Sequence, residues 1–273
     1  MAIAHHAIDL FADTLHLSFA EAGTSRSVPR LSFATRGAGR TFLLLHGGAG
    51  PASMYGLTDA LSAKARTVVP VHPGFNGTPR PERFHRIEDL VLAYLSLIER
   101  LDLRDVVLVG NSLGGWIAAE MALRLSPRLA GAVLINSVGI DAGKPELAIV
   151  DPATVPSQDL AGLSFHDPKK FAFAASTPEA AAARVENQKA LRVYAGEPFM
   201  HEPTLRARLA NMPIPTLVIW GESDRIASPD YGRLLASSIP NSQFAPVAEA
   251  GHFPQIEQLG EVERLIGAFA DRL

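Results

Sequence analysis

Short, uninterrupted apolar runs alternate along most of the chain with longer segments in which apolar residues recur every three or four positions. An uninterrupted run is typical of a strand covered on both faces, as in the centre of a parallel sheet. Such runs lie at residues 41–45, 67–71, 106–109, 132–135 and 216–220. The periodic segments predict amphipathic helices at residues 54–65, 86–101, 112–125, 229–238 and 256–273. This alternation predicts a doubly wound, mostly parallel α/β sheet.

Two parts of the chain depart from this rhythm. Residues 15–19 and 31–34 alternate apolar and polar positions, which predicts antiparallel strands at the beginning of the sheet. Residues 138–212 contain several prolines and an Ala-rich helical segment, but no strand-like run. An insertion between two core strands is placed as a lid would be. We therefore expect a core formed by residues 1–137 and 213–273, with a helical cap at residues 138–212.

Composition narrows the functional classes. The 273 residues are 47% hydrophobic and 19% charged, which is enough apolar material for a large core. The net charge is −3, so the chain lacks the excess of lysine and arginine that is typical of nucleic-acid-binding proteins. The lack of cysteine excludes disulfides, thiolate metal sites and a Cys nucleophile. The beginning of the chain does not resemble a secretory signal, and no apolar run reaches the roughly 18 residues of a membrane span. We expect a cytoplasmic monomer or homodimer that acts on a small-molecule substrate, without membrane or nucleic-acid partners.

The strongest motif is Gly110-Asn-Ser-Leu-Gly114, which directly follows a predicted strand and directly precedes a predicted helix. A turn this tight strains the backbone of its central residue, and glycines two positions away on either side leave room for it. The turn would raise Ser112 above the edge of the sheet and place the next amide, that of Leu113, at a helix N-terminus. The alternative is an ordinary strand–helix turn in which Ser112 only caps the helix.

A nucleophilic serine needs a base, and the base needs an orienting acid. Asp224 follows the strand at residues 216–220, and His252 follows a strand-like segment at residues 243–247. Both would therefore reach the sheet edge where Ser112 lies. Glu222 is a competing acid two positions before Asp224. We predict Ser112 as nucleophile, Asp224 as acid and His252 as base.

The segment His46-Gly-Gly-Ala-Gly50 directly follows another predicted strand. Consecutive glycines let backbone N–H groups point into a cavity, where they stabilise the negative charge that develops on a carbonyl oxygen during acyl transfer. We assign this oxyanion hole to the amides of Gly48 and Leu113, with Ala49 as a possible substitute for Gly48. The alternative is that the glycines only form a tight turn. His46 is interpreted as structural. No other ligand lies at metal-binding spacing near it, so we expect neither a metal nor a cofactor.

Together, the motifs HGG, GNSLGG, GESD and AGHFPQIEQ resemble the α/β-hydrolase superfamily in identity and order. The resemblance covers roughly residues 41–138 and 213–273. It implies the α/β-hydrolase fold, a Ser112–Asp224–His252 triad, and a cap domain formed by the insertion. Because the turn at residues 110–114 carries a serine at its centre, members of the superfamily that use an ester-forming aspartate at this position are disfavoured. A carboxylesterase-like activity on a small or medium acyl group is the default interpretation.

Two details resemble the meta-cleavage C–C bond hydrolases instead. These are Asn111 directly before the serine, and the segment Pro73-Gly-Phe-Asn76. Such enzymes cleave vinylogous diketones with the same triad and usually place a cap arginine against the substrate carboxylate; Arg184 and Arg192 are the candidates here. His72 departs from the common pattern, in which an aspartate is frequent. A third alternative is a non-catalytic small-molecule receptor of the same fold, although all three triad positions are filled.

Specificity should reside in the cap, which is rich in aromatic residues. A pocket with such a lining would favour apolar acyl or aryl groups. Core packing is the alternative role for each of these side chains. The candidate pocket residues are Ala49, Asn111, Trp116, Phe171, Phe199 and Phe253.

Overall fold

An eight-stranded sheet forms the centre of the protein, and a two-stranded sheet lies outside it. The computed structural model describes Asp13–His16, residues 30–171 and residues 177–273. In chain order the strands are β1 Asp13–His16, β2 Arg30–Arg36, β3 Thr41–Leu45, β4 Arg66–Pro70, β5 Val106–Asn111, β6 Leu129–Ile135, β7 Gly139–Ile140, β8 His201–Glu202, β9 Thr216–Gly221 and β10 Ser242–Val247. The order across the large sheet is β1-β2-β4-β3-β5-β6-β9-β10.

The direction of the strands follows the two apolar patterns. β2 is antiparallel to both β1 and β4, whereas the other neighbouring strands of the large sheet are parallel. The predicted parallel sheet with an antiparallel beginning is therefore confirmed. Residues 17–19 of the first predicted strand lie outside the described residues.

Ten α-helices lie between or after these strands in the described part of the chain. They are α1 Tyr55–Ser62, α2 Ile87–Arg100, α3 Leu113–Ala122, α4 Ser157–Ser164, α5 Pro168–Phe171, α6 Pro178–Ala195, α7 Leu205–Arg208, α8 Pro229–Ser237, α9 Pro254–Glu257 and α10 Leu259–Ala270. The helix expected at residues 256–273 is divided in two, because Gln258 has a non-helical backbone with φ −130° and ψ 51°. No described helix combines the length and the apolar character needed to cross a membrane.

The core lies on both faces of the sheet, which explains why the strand sequences are uninterrupted apolar runs. Within β5, Val106 and Leu108 pack into one apolar cluster with side chains of α2, α3 and α8. Val107 and Val109 pack into a second cluster with side chains of α1 and α10. Successive side chains of a strand point to opposite faces, so each face of β5 needs an apolar residue at every second position.

The segment between β6 and β9, called the cap below after the prediction, contains α4, α5, α6 and α7. That it acts as a separate lid domain stays a prediction. It also contains β7 and β8, which pair in parallel through Gly139–His201 and Ile140–Glu202. The sequence predicted no strand here, because two residues are too short to produce an apolar run. Helix α6 begins where expected: the Thr177 side chain accepts a hydrogen bond from the Ala180 amide, and Pro178 occupies the first turn.

Candidate active site

The turn between β5 and α3 holds Ser112 in a strained conformation, with φ 55° and ψ −117°. The flanking glycines are required by close backbone contacts. A Cβ atom on Gly110 would lie 2.1 Å from Gly114 O, and one on Gly114 would lie 2.0 Å from Leu45 O. Ser112 stands at the helix N-cap position, but its side chain makes no cap hydrogen bond. Its hydroxyl therefore does not cap the N-terminus of α3, which is the alternative role for this serine.

The loops after β9 and β10 bring Asp224 and His252 together. Asp224 Oδ2 lies 2.8 Å from His252 Nδ1, and both side chains are almost completely buried. An ionised carboxylate only accepts, so the proton that makes this hydrogen bond is on His252 Nδ1, and in the neutral imidazole Nε2 then has a free lone pair. Glu222, the competing acid, is exposed. Of the two acids, Asp224 makes the hydrogen bond that orients the histidine.

Three further donors fix the Asp224 carboxylate. The Asn136 side-chain amide donates to Oδ2 at 2.7 Å, and the backbone amides of Ile226 and Ala227 donate to Oδ1 at 2.8 and 3.2 Å. Within the described residues, Ser112 Oγ makes no direct hydrogen bond to His252. Catalytic hydrogen bonds are often long in free enzymes and tighten when substrate binds.

The candidate oxyanion donors are the backbone amides of Gly48 and Leu113. Neither amide donates to an acceptor within the described part of the chain. Helix α6 of the cap packs directly against this loop: a Cβ atom on Gly48 would lie 2.6 Å from Leu191 Cδ2. Asn187, also on α6, donates from Nδ2 to Ala49 O at 3.2 Å and accepts from the Asn76 amide at 2.7 Å. The cap therefore holds the glycine loop from outside and leaves these two N–H groups unused.

Comparison with known proteins identifies the family of the chain. Residues 42–265 match the alpha/beta hydrolase family. The chain belongs to this family. A 2-hydroxymuconate semialdehyde hydrolase from Pseudomonas putida is 29% identical, with 88% of this chain and 90% of the relative aligned. A pimeloyl-[acyl-carrier protein] methyl ester esterase from Aromatoleum aromaticum is 27% identical, with 78% of this chain and 90% of the relative aligned.

A solved structure extends the likeness to three dimensions. The meta-cleavage product hydrolase from Pseudomonas fluorescens superposes with a TM-score of 0.72 at 24% identity, covering 89% of this chain and 94% of that chain. At this identity the likeness concerns the alpha/beta hydrolase fold alone. The two curated relatives described above are both named as hydrolases, and this member of the alpha/beta hydrolase family is a hydrolase.

The candidate pocket residues of the hydrolase have different surroundings. Phe253 is buried beside His252, with its ring edge-on to the imidazole at 5.2 Å and stacked on Phe165 of the cap at 5.3 Å. Phe199 is half-buried, with the Arg192 guanidinium 5.6 Å from its ring centre. Phe171 is half-buried at the end of α5, where the Lys170 ammonium lies 4.6 Å from its ring centre.

The other three pocket candidates are Asn111, Trp116 and Ala49. Asn111 is fully buried, and its Nδ2 donates to Ile135 O at 3.2 Å and to His252 O at 3.1 Å, so it connects the serine turn to the histidine loop. Trp116 is buried, and its Nε1 has no hydrogen-bond partner among the described residues. Ala49 is half-buried in the glycine loop. Substrate contact by any of these residues stays a prediction.

Among the residues that sequence reasoning missed, Asn136 and Glu257 directly support the loops of the site. Asn136 follows β6 at the same sheet edge as the triad, so the rule that identified Asp224 also applied to it. Glu257 lies within the AGHFPQIEQ motif, and its buried carboxylate accepts from the backbone amides of Gly251 at 2.6 Å, His166 at 2.9 Å and Asp167 at 3.1 Å. Glu257 thereby joins the cap to the His252 loop.

The charge distribution limits what else the site can hold. No group of three or more His, Cys, Asp or Glu side chains is arranged to bind a metal ion in the described residues. Eighteen polar or charged residues in the described ranges are buried, and none of them is lysine or arginine. Arg184 and Arg192 of α6 are both exposed, and Arg192 pairs with Asp151. In the described part of the chain, the interior around Ser112, Asp224 and His252 thus has acids and neutral polar groups but no buried lysine or arginine.

Proposed function

We propose that this alpha/beta hydrolase cleaves a carboxylic ester with a small or medium, uncharged acyl group through an acyl-enzyme on Ser112. His252 Nε2 removes the Ser112 proton while Oγ attacks the ester carbonyl. Asp224 stabilises the imidazolium that forms. The N–H groups of Gly48 and Leu113 stabilise the oxyanion. The leaving alcohol takes the proton back from His252, which then activates water to hydrolyse the acyl-enzyme.

The absence of a buried arginine or lysine in the described residues supports a neutral acyl group. An unpaired carboxylate taken into an apolar pocket costs several kcal/mol. The aromatic pair Phe165–Phe253 beside His252 offers apolar surface instead. Arg184 and Arg192, which would neutralise an anionic substrate, are exposed on the cap helix.

The test compares two p-nitrophenyl esters of equal acyl length, the neutral butyrate and the anionic hemisuccinate. We expect Ser112-dependent turnover of the butyrate and a kcat/KM at least about tenfold lower for the hemisuccinate, since desolvating one carboxylate without a partner costs more than 1.4 kcal/mol. The Ser112→Ala variant is the control for both esters. A preference for the hemisuccinate would contradict the neutral-acyl assignment.

C–C bond hydrolysis of a vinylogous diketone is the second candidate. The 2-hydroxymuconate semialdehyde hydrolase among the relatives and the position of Asn111 directly before Ser112 favour it. The discriminating assay follows the loss of dienolate absorbance of a meta-cleavage product, with the Ser112→Ala control. Faster Ser112-dependent turnover of the dienolate than of any neutral ester would replace the ester proposal with this one. Turnover of neither class, together with ligand binding, would indicate a receptor.

A further inference from the structure

Two histidines and a tyrosine form a buried cluster beneath the glycine loop, and the proposed mechanism uses none of them. His46 and His72 are fully buried, with rings stacked at 3.7 Å between centroids. His72 Nδ1 hydrogen-bonds to the hydroxyl of Tyr94, which is also fully buried. A buried polar group destabilises the fold unless its hydrogen bonds are made. The hydrogen-bond partners of the two rings therefore show which ring nitrogens carry protons and which backbone groups the rings hold in place.

The partners assign the position of each proton. The backbone amide of His72 lies 3.0 Å from His46 Nε2 and can only donate, so the proton of the His46 ring is on Nδ1. His46 Nδ1 then donates to Gly47 O at 2.8 Å. His72 Nε2 lies 2.8 Å from His46 O, a carbonyl that can only accept, so this nitrogen carries the proton. His72 Nδ1 in turn accepts from the Tyr94 hydroxyl, and both rings are neutral.

The two acceptors are consecutive carbonyls of the glycine loop. His46 O belongs to the peptide unit before Gly47, and Gly47 O belongs to the unit that contains the Gly48 N–H. Because a peptide unit is planar, fixing the direction of its C=O also fixes the direction of its N–H. The amide of Gly50 donates to the same Gly47 O at 3.0 Å. The Gly47–Gly48 peptide plane is therefore held by two donors.

We infer that His46 and His72, with Tyr94 behind them, are positioning residues that aim the Gly48 N–H at the oxyanion. This inference rests on the proposed function, in which Gly48 is an oxyanion donor. Glycine has wide conformational freedom, so without such restraints the Gly47–Gly48 peptide can rotate away from the aligned orientation. An oxyanion donor contributes most when it is aligned before the reaction begins.

Burial keeps both rings in the neutral form that the network requires. It lowers the pKa of His46 to about 4, and it lowers the pKa of His72 well below its usual value, with the neighbouring His46 acting in the same direction. Burial also raises the pKa of Tyr94 well above its usual value, so this hydroxyl remains a donor. At neutral pH all four hydrogen bonds are therefore available together.

Matched variants separate the hydrogen bonds from the volume of the rings. Asn in place of His46 places an amide N–H near the position of Nδ1, whereas Leu has the same shape without a donor. Gln in place of His72 likewise retains a donor near Nε2, whereas Met does not. We expect His46→Leu and His72→Met to lower kcat for the best ester by about 10- to 100-fold with little change in KM, because the donor acts in the transition state. His46→Asn and His72→Gln should recover kcat to within about fivefold of the parent.

A spectroscopic measurement tests the assignment without substrate. Long-range 1H–15N correlation of the parent protein at pH 7 should show His46 protonated at Nδ1 and His72 protonated at Nε2. The His46→Asn and His72→Gln variants identify the two spectra by loss of signal. Either ring in the opposite tautomer, or charged, would overturn the inference. If the Leu or Met variant fails to fold by circular dichroism, this spectrum and the kcat of the Asn and Gln variants decide.

The outcomes distinguish this inference from the proposed function. If the parent shows no Ser112-dependent ester turnover, the proposed function fails, and the positioning role falls with it. If the parent is active but folded His46→Leu and His72→Met retain kcat within twofold, the ester assignment survives and only the inference is wrong. A drop in melting temperature with an unchanged kcat would give the cluster a purely structural role.

Discussion

Replacing Asp224 with asparagine tests the acid assignment, because the surrounding donors dictate how the new amide would lie. Oδ1 accepts from the backbone amides of Ile226 and Ala227, so the asparagine oxygen must take that position. Its NH2 group then replaces Oδ2 and faces His252 Nδ1. There it donates to Nδ1 and forces the proton of His252 onto Nε2, the atom that should act as base.

The magnitude follows from this wrong tautomer. Loss of the correctly oriented base is worth about 10⁴-fold in kcat, or roughly 5.4 kcal/mol. In the parent protein the Asn136 side-chain amide donates to Asp224 Oδ2 at 2.7 Å. In the variant two NH2 donors would face each other there, and this hydrogen bond would be lost. An unmade hydrogen bond of this kind costs about 1–3 kcal/mol of folding stability.

Steady-state ester hydrolysis and urea unfolding measure these two effects. Glu222→Gln is the matched control. Since Glu222 is exposed, the variant should keep kcat within twofold of the parent and the free energy of unfolding within about 0.5 kcal/mol. If folded Asp224→Asn retained more than a tenth of the parental kcat, the tautomer argument would be refuted. If Glu222→Gln lost activity instead, Glu222 would be the acid.

Three further predictions concern the framework of the site. Gly110→Ala should abolish soluble, active protein, because its Cβ would lie 2.1 Å from Gly114 O, whereas Gly267→Ala, with open space at its Cβ inside α10, should retain activity and melting temperature. Glu257→Gln replaces one of the two carboxylate oxygens, which accept from backbone amides, with an NH2 donor that repels them. The melting temperature measured by circular dichroism should therefore fall by about 3 to 10 °C; an unchanged value would show that Glu257 does not hold the cap. Because burial lowers the His46 pKa from 6.5 to about 4, the unfolded chain binds the proton first as pH falls, and folding stability should decline by about 3 kcal/mol between pH 6.5 and 4. Urea unfolding at pH 7 and pH 4.5 tests this, and the decline should be smaller in His46→Asn; equal declines in the two proteins would contradict it.

The sequence was sufficient for features that local pattern determines. Uninterrupted runs such as residues 106–109 predicted buried strands, because each face of the sheet needs every second side chain. The spacing of Gly110 and Gly114 around Ser112 predicted the strained turn, since only glycine lacks the Cβ atom that would lie about 2 Å from backbone oxygens at these positions. The rule that parallel strands end at one edge brought Asp224 and His252 to a common site.

What the sequence did not supply depends on contacts between distant segments. Asn187 lies more than a hundred positions from the loops that it binds, at Ala49 and Asn76, so no spacing could reveal it. The tautomers of His46 and His72 likewise depend on partners that only the folded loop brings near. The β7–β8 pair was missed because two residues carry no periodicity.

The most direct test of the account is to trap the acyl-enzyme. The protein would be mixed with p-nitrophenyl butyrate, quenched in acid within the first turnover, and examined by intact-mass measurement and peptide mapping. We predict one added butyryl group, located on Ser112, together with a burst of one p-nitrophenolate per protein molecule and the loss of both in Ser112→Ala. A butyryl group on another residue, or hydrolysis that persists in Ser112→Ala, would contradict the assignment of Ser112 as the nucleophile.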